Sequence, residues 1–287
     1  MNIIYQQHIA WFETEMALKT LHSVQKALEH TNLPIQVKLC FNCQTIFDSP
    51  INGTPKSMFD ILLQNELVKK SDIIWKTNDN EFYNIGDWRR DCYYPNDITI
   101  WGESDCYVPE TYFGYIESIF NSTTDYPFIV TIKQKKMWDE SWKPTEHEAF
   151  QSFTLDQTRA INNKFVTGEG YLSLEELNTF NNSFSDKHSV EISQYYKGDG
   201  ALICLSPDMP TPFIDPKLHM CGEDTYFFNF CSIKQIPLYN ISYYIKGHNT
   251  KHPLKRTNHS KSEEQKQQFE EFDKQMRIVA QNSLMKL

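Results

Sequence analysis

The chain has 287 residues, 40% hydrophobic and 14% aromatic, with a formal net charge of −9 at pH 7. That is enough apolar material for a sizeable core in one large or two small domains, and the acidic balance argues against a broad nucleic-acid footprint, which shows as a basic domain. The start, Met1-Asn2-Ile3-Ile4-Tyr5, lacks the basic and apolar regions of a signal peptide, and no apolar run approaches the roughly 20 residues of a membrane span, so a cytoplasmic protein without a transmembrane segment is expected. The seven cysteines are odd in number and are expected to be reduced and mostly buried. Cys40 and Cys43 form a lone CxxC with no second pair at zinc spacing.

Asn2 to Tyr5 reads as a first strand. Residues 13 to 30 read as a helix, with Leu18, Leu21, Val24 and Leu28 at helical spacing. Asn32-Leu33-Pro34 breaks it, and Ile35 to Phe41 reads as a second strand. A parallel pair with a helical crossover follows from that order. Asp48 to Pro55 is a loop, with Pro50, Gly53 and Pro55. Met58 to Lys70 reads as one helix with Phe59, Leu62, Leu63 and Leu67 on one side, and Asp72 to Trp75 as a short strand. The segment Trp88-Arg89-Arg90-Asp91 then precedes an apolar run, Ile98 to Trp101. This run ends in two acids, Glu103 and Asp105, before Pro109 stops regular structure. Thr111 to Phe120 reads as a helix and Phe128 to Ile132 as a strand. The alternation predicts an α/β sandwich. In open α/β sheets ligands gather at the carboxyl ends of strands, where Glu103 and Asp105 fall.

Residues 133 to 200 are less regular. Lys133 to Lys136 is basic, Trp138 and Trp142 flank two acids, Glu169 to Tyr171 reads as a turn and Leu172 to Phe180 as a short helix. A turn, Tyr195 to Gly200, leads into the apolar run Ala201 to Leu205. Gly222 then precedes Glu223 and Asp224, which sit in the first turn of a helix over Glu223 to Cys231, where the helix dipole favours negative charge. Tyr243 to Ile245 reads as a strand running into a local basic segment, Lys246 to Arg256. Ser260 to Leu287 reads as an amphipathic helix with Phe269, Phe272, Met276 and Val279 as its stripe.

A strand that delivers carboxylates at its end suits a hard divalent cation, which prefers oxygen ligands and takes one or two carboxylates plus substrate phosphates. On its own Glu103-Ser104-Asp105 is more simply an acidic turn. Three signals in fixed order say more: an acid-x-acid after an apolar strand, a later Gly-Glu-Asp, and a histidine in a basic segment near the end. This arrangement resembles glycosyltransferases of the GT-A fold, especially those like glycosyltransferase family 2. The resemblance spans most of residues 1 to 256, in pattern more than in identity.

It implies an α/β, Rossmann-like mixed sheet flanked by helices. Residues 1 to 132 would bind the nucleotide sugar, 133 to 256 the acceptor, and 257 to 287 would form a C-terminal amphipathic helix. Glu103-Ser104-Asp105 stands where the family has Asp-x-Asp. That implies Mn²⁺ or Mg²⁺ on Asp105 and Glu103, with the longer Glu103 also able to reach the ribose or sugar. Arg89 or Arg90 would approach the diphosphate or sugar. Asn42 stands where an Asp often pairs with the nucleobase. Glu223 and Asp224 match the catalytic pair, Asp224 as base in an inverting reaction. His248, with His252 next in line, would be a further metal ligand, and Lys251 and Arg256 would help to hold the leaving diphosphate. Trp138 and Trp142 would stack on a sugar or pack in the core.

The donor implied is a UDP-sugar. The acceptor is a glycan, a small glycoside, or a hydroxylated DNA base of the kind some bacteriophage sugar transferases modify, in the cytoplasm of a bacterium or an infected host. The charge of −9 speaks against DNA and the Lys251 to Arg256 patch for it. A nucleotidyltransferase would carry a Gly-rich, Lys-containing loop near the first strand, and Tyr5-Gln6-Gln7-His8 is not one. A non-catalytic sugar-binding scaffold is the remaining class, and it would not need Glu103, Asp105, Glu223, Asp224 and His248 together.

Overall fold

The computed structural model describes residues 2–44, 53–77, 83–123, 127–135, 174–193, 196, 200–219, 222–248 and 263–285. The first strand, β1 (Ile3–Ala10), is buried along its whole length, as a central strand covered on both faces must be. Two of its polar side chains bond inward: Gln6 Nε2 donates to the Cys92 carbonyl and the Tyr5 hydroxyl donates to Gln7 Oε1. After a short 3-10 turn, α1 (Thr14–Glu29) buries Ala17, Leu21, Val24 and Ala27, and Leu18 and Leu28 flank this stripe. The strand β2 (Ile35–Asn42) follows.

The single helix expected over Met58 to Lys70 is two, α2 (Pro55–Leu62) and α3 (Glu66–Lys69). The reason lies in Asn65. Its side chain accepts from the Leu67 and Val68 N–H groups, so it caps a new helix where an uninterrupted one would need a helical residue. After β3 (Asp72–Lys76) comes α4 (Ile85–Asp91), which the hydrophobic pattern did not single out. It starts on a capping box between Asn84 and Asp87.

The remaining elements are β4 (Ile98–Glu103), β5 (Cys106–Tyr107), α5 (Tyr112–Ser122), β6 (Ile129–Lys135), α6 (Leu174–Ser183), β7 (Ser189–Ile192), β8 (Ile203–Leu205), α7 (Glu223–Ile233), β9 (Leu238–His248) and α8 (Glu263–Leu284). The strand expected over Tyr243 to Ile245 is thus the middle of a much longer one. No helix of the described residues is long and apolar enough to cross a membrane.

The strands form one sheet in the order β3-β2-β1-β4-β8-β6-β9-β5, with β7 also on β9. The β3-β2-β1-β4 half is parallel. From β8 onwards the sheet is mixed: β8 runs antiparallel to β4 and β6, β9 runs parallel to β6, and β5 and β7 run antiparallel to β9. The chain goes from β1 to β2 on one side and returns to β4 on the other. The strand order therefore reverses between β1 and β4, and that is where a ligand crevice opens in such sheets.

Two apolar clusters cover the two faces. Ile98 and Ile100 of β4 join the cluster that contains α1, α2 and α5. Trp101, on the opposite face by strand alternation, joins the one that contains Trp88 of α4 and Phe227 of α7. The C-terminal helix α8 buries Ala280 in this second cluster, with Met276, Val279 and Leu284 packed against it. Phe272 of the expected stripe is half-buried, and the Phe269 side chain lies outside the described residues. The helix shares its core with the α/β body. The chain between 249 and 262, with the expected boundary at 256, is outside the described residues.

Candidate active site

Strand alternation decides where Glu103 faces. Glu103 has the parity of Trp101, so its side chain emerges on the α4 and α7 face at the carboxyl end of β4. His8 of β1 is its direct neighbour in register. There it meets Arg89, the most buried charged residue of α4, with no exposed surface. Arg89 Nη2 donates to Glu103 Oε1 at 2.7 Å and to the Gly200 carbonyl at 2.9 Å. Nη1 lies 3.5 Å from Glu223 Oε1, at the start of α7. The guanidinium also stands 5.6 Å from the Trp101 ring centroid, within cation–π range. Three segments far apart in sequence thus close on one arginine.

The fit around Arg89 leaves no slack. A Cβ on residue 200 would fall 2.0 Å from Arg89 Nη2 and 2.7 Å from Glu103 Oε1, so any side chain here would force Arg89 or the backbone to shift. Gly200 reads from sequence as a turn residue, and nothing local reveals this close approach. Beside it, Trp88 packs its ring 5.7 Å from His8 and 6.4 Å from Trp101.

Charge is unbalanced in this cluster. One guanidinium faces two carboxylates, both nearly excluded from water: Glu103 is 7% exposed and Glu223 6%. Arg89 sits closer to Glu103 than to Glu223, so Glu223 carries most of the deficit. Burial pushes its carboxyl up to about 7, the charge of Asp224 adds to the rise, Arg89 opposes it and Glu103 reinforces it. A carboxyl poised there exchanges a proton at neutral pH, as acid–base catalysis requires. Asp224 is less buried than Glu223. Its Oδ1 accepts the Thr225 N–H at 2.6 Å, and Gly222, at φ 81°, turns the chain into the helix.

The second acid, Asp105, is fully buried beyond the end of β4. Helix α1 holds this corner in place. Thr20 Oγ1 donates to the Ser104 carbonyl at 2.6 Å, Ser104 Oγ donates to the His8 carbonyl at 2.9 Å, and the Val108 N–H donates to Ser23 Oγ at 2.9 Å. The chain then forms β5, and Cys106 lies directly opposite His248 of β9. Backbone pairing therefore carries His248, whose side chain is outside the described residues, to the neighbourhood of Asp105. A buried carboxylate at such a strand end suits Mn²⁺ or Mg²⁺. Among the described residues no three His, Cys, Asp or Glu side chains form a cluster that could hold a metal.

Asn42 ends β2 and is buried. Its Nδ2 donates to the Tyr83 carbonyl at 3.0 Å and lies 3.2 Å from His8 Nε2, and its Oδ1 accepts the Gln44 N–H at 3.0 Å. The Tyr83 and Gln44 bonds fix the amide orientation, so His8 Nε2 faces a donor and acts as acceptor. Arg90 faces away from Glu103 and Glu223. Its Nη1 donates to the Asp215 and Leu218 carbonyls, both at 2.9 Å, and Nη2 pairs with Asp87. His219 Nδ1 meets the same Asp87 carboxylate at 2.8 Å. The expected contributors Lys251, His252 and Arg256, and Trp138 and Trp142, lie outside the described residues. His8, Trp88, Tyr83 and Gly200 belong to this region and were not singled out by the sequence; the Asn84-x-x-Asp87 capping box was the signal that would have located α4.

No family model and no curated protein matches this chain. Among solved structures it is similar to S. aureus TarS 1–349, at 12% identity and a TM-score of 0.48, over 87% of this chain and 60% of that one. It is also similar to Mycobacterium tuberculosis glucosyl-3-phosphoglycerate synthase in complex with Mn²⁺, uridine-diphosphate and phosphoglyceric acid, at 6% identity and a TM-score of 0.48, over 88% and 72%. TarS 1–349 in complex with UDP-GlcNAc gives 11% identity and a TM-score of 0.46, over 88% and 59%. The chain spans about three fifths of the TarS chains it resembles.

Proposed function

We propose that this chain is a glycosyltransferase of the GT-A type that moves a sugar from a UDP-sugar to an acceptor hydroxyl with inversion. The observation that carries this reading is the meeting of Arg89, Glu103 and Glu223, with Asp224 beside them, next to the β1/β4 switch point. Carboxylates from two separate elements gather around one arginine at the carboxyl end of β4, and burial raises one of them, Glu223, to about 7.

The chemistry asks for few parts. An acceptor hydroxyl must lose its proton as its oxygen attacks the anomeric carbon. Asp224 takes that proton as general base, because it is the more accessible member of the pair. A single displacement with one base inverts the anomeric centre. Glu223, deeper and next to Arg89, anchors the start of α7 beside it. Asp105 and His248 would hold Mn²⁺ or Mg²⁺, which would supply positive charge against the charge that grows on the leaving diphosphate. Lys251 and Arg256, outside the described residues, would add cations against the same charge. At the nucleoside end, Asn42 Oδ1 has a second lone pair beyond its bond to Gln44, and we assign it to a uracil N–H. The acceptor is a glycan or a small glycoside.

A panel of nucleotide sugars with Mn²⁺ tests the reading, scored by thermal shift and by slow donor hydrolysis. One UDP-sugar should raise the melting temperature only when the metal is present and should release UDP over hours. A flat panel, with and without Mn²⁺, overturns the proposal.

A further inference from the structure

Arg89 occupies the centre of the site, yet its geometry is that of a buried strut. Nη2 is committed to Glu103 at 2.7 Å and to the Gly200 carbonyl at 2.9 Å, and Nη1 faces Glu223 at 3.5 Å. Its side chain has no exposed surface. To reach a diphosphate it would have to leave two carboxylates buried without their cation, which is strongly unfavourable. Gly200 closes over it so tightly that even a methyl group does not fit. Arg90, its neighbour, is likewise committed, to Asp87 and two carbonyls.

We propose that Arg89 is a positioning residue of the transfer reaction: it fixes Glu103 at the end of β4 and Glu223 at the start of α7 relative to each other, and it does not bind the donor diphosphate. The inference rests on the transferase reading for its catalytic consequence, but the strut itself does not. By tying α7 to β4, Arg89 sets the place of Asp224, one residue beyond Glu223. The interaction depends on the planar fork of arginine, whose Nη2 bonds Glu103 and the Gly200 carbonyl while Nη1 sets its charge 3.5 Å from Glu223. A lysine carries the charge without that fork.

The test uses the full chain and three measurements: UDP·Mn²⁺ affinity by calorimetry, kcat and KM for donor hydrolysis, and thermal denaturation. In Arg89→Lys, UDP·Mn²⁺ affinity and KM should stay within about 3-fold, while kcat falls roughly 100-fold, the size expected when a reacting group is misplaced by about an ångström. A comparable fall in UDP·Mn²⁺ affinity would make Arg89 a diphosphate ligand, and an unchanged kcat would deny it any positioning role; either outcome overturns the proposal. Arg89→Met could simply unfold, so its melting temperature is compared with that of the triple variant Arg89→Met, Glu103→Gln, Glu223→Gln. The single change should lower the midpoint by about 5–10 °C, and the triple variant should recover more than half of that. Equal loss in both would show that the three residues are not coupled. If the wild type binds no nucleotide, the transferase reading and Arg89's part in it fail together, whatever the melting data show. If the wild type binds UDP·Mn²⁺ and the coupling is absent, only the present inference fails.

Discussion

Arg89 and Arg90 are consecutive residues of one helix turn, and they live in different chemistry. Successive helical residues are rotated by about 100°, so the two side chains leave α4 on different faces. Arg89 goes inward to Glu103, Gly200 and Glu223, where its side chain has no exposed surface, and Arg90 goes outward to Asp87 and the 215–218 loop, where its side chain is 18% exposed. Around Arg90 the charges are local: Asp87 is three residues away on the same helix and also takes His219. Around Arg89 they come from across the chain, at separations of 14 and 134 residues' worth of sequence positions, 89 to 103 and 89 to 223. One arginine staples a loop; the other joins the two acidic motifs. Residue type and helix position do not distinguish them. Only the face each presents does.

The largest effect should fall on the Arg89 side of α4, at its neighbour in catalysis. Asp224→Asn should cut transfer by about 10²–10⁴-fold, the usual weight of a positioned general base, with UDP·Mn²⁺ affinity unchanged by calorimetry. An active Asp224→Asn enzyme would move the base elsewhere and leave the Arg89 cluster without a catalytic partner. Arg89→Met comes next. It removes the cation from two buried carboxylates and should cost about 3–5 kcal/mol of stability in urea denaturation. Gly200→Ala should act in the same direction by about 1–3 kcal/mol, because the new methyl must displace Arg89 or the backbone.

How the fold was legible follows the same division. The β1-α1-β2 unit and β4 are written locally, as apolar runs bounded by Asn32, Pro34 and Pro109, so pattern alone locates them. The mixed half is not. Three residues suffice for β8 and two for β5, and both exist only because longer strands pair with them. Asn65 split a helix that apolar spacing had joined, since one side-chain oxygen outweighed the periodicity. At the site, Glu103, Asp105, Glu223 and Asp224 are visible as residue types in order. What they face is not visible. That depends on the parity of β4, which turns Glu103 with Trp101 toward α4, and on a glycine contact across 111 positions, from Arg89 to Gly200.

The pH dependence sharpens the comparison from the carboxylate side. Glu223 rises from an ordinary value of 4.5 to about 7 in the folded chain, chiefly through burial. Between those values the folded state binds more protons at this site than the unfolded state. Stability therefore falls as pH rises through that window, by up to about 3 kcal/mol, and the loss is complete above 7. In Glu223→Gln this slope should vanish, so the difference in melting temperature between variant and wild type should move in favour of the variant from pH 5 to pH 8. Parallel curves would mean that Glu223 is ionised throughout and that Arg89 compensates it fully.

The smallest effect belongs to Arg90. Arg90→Ala loses two bonds to the Asp215 and Leu218 carbonyls and its pairing with Asp87, at a partly solvated place. Water replaces some of these partners, so the cost should be about 1–2 kcal/mol in denaturation. The loosened segment, Asp215 to His219, stands three residues before Gly222. If Arg89 alone fixes the start of α7, kcat in Arg90→Ala should fall by less than about 10-fold, well short of the effect of a misplaced reacting group. A loss as large as that of Arg89→Lys would show that α7 is held equally by the outward arginine. The two faces of α4 would then act as one support, and the contrast between them would be one of burial alone.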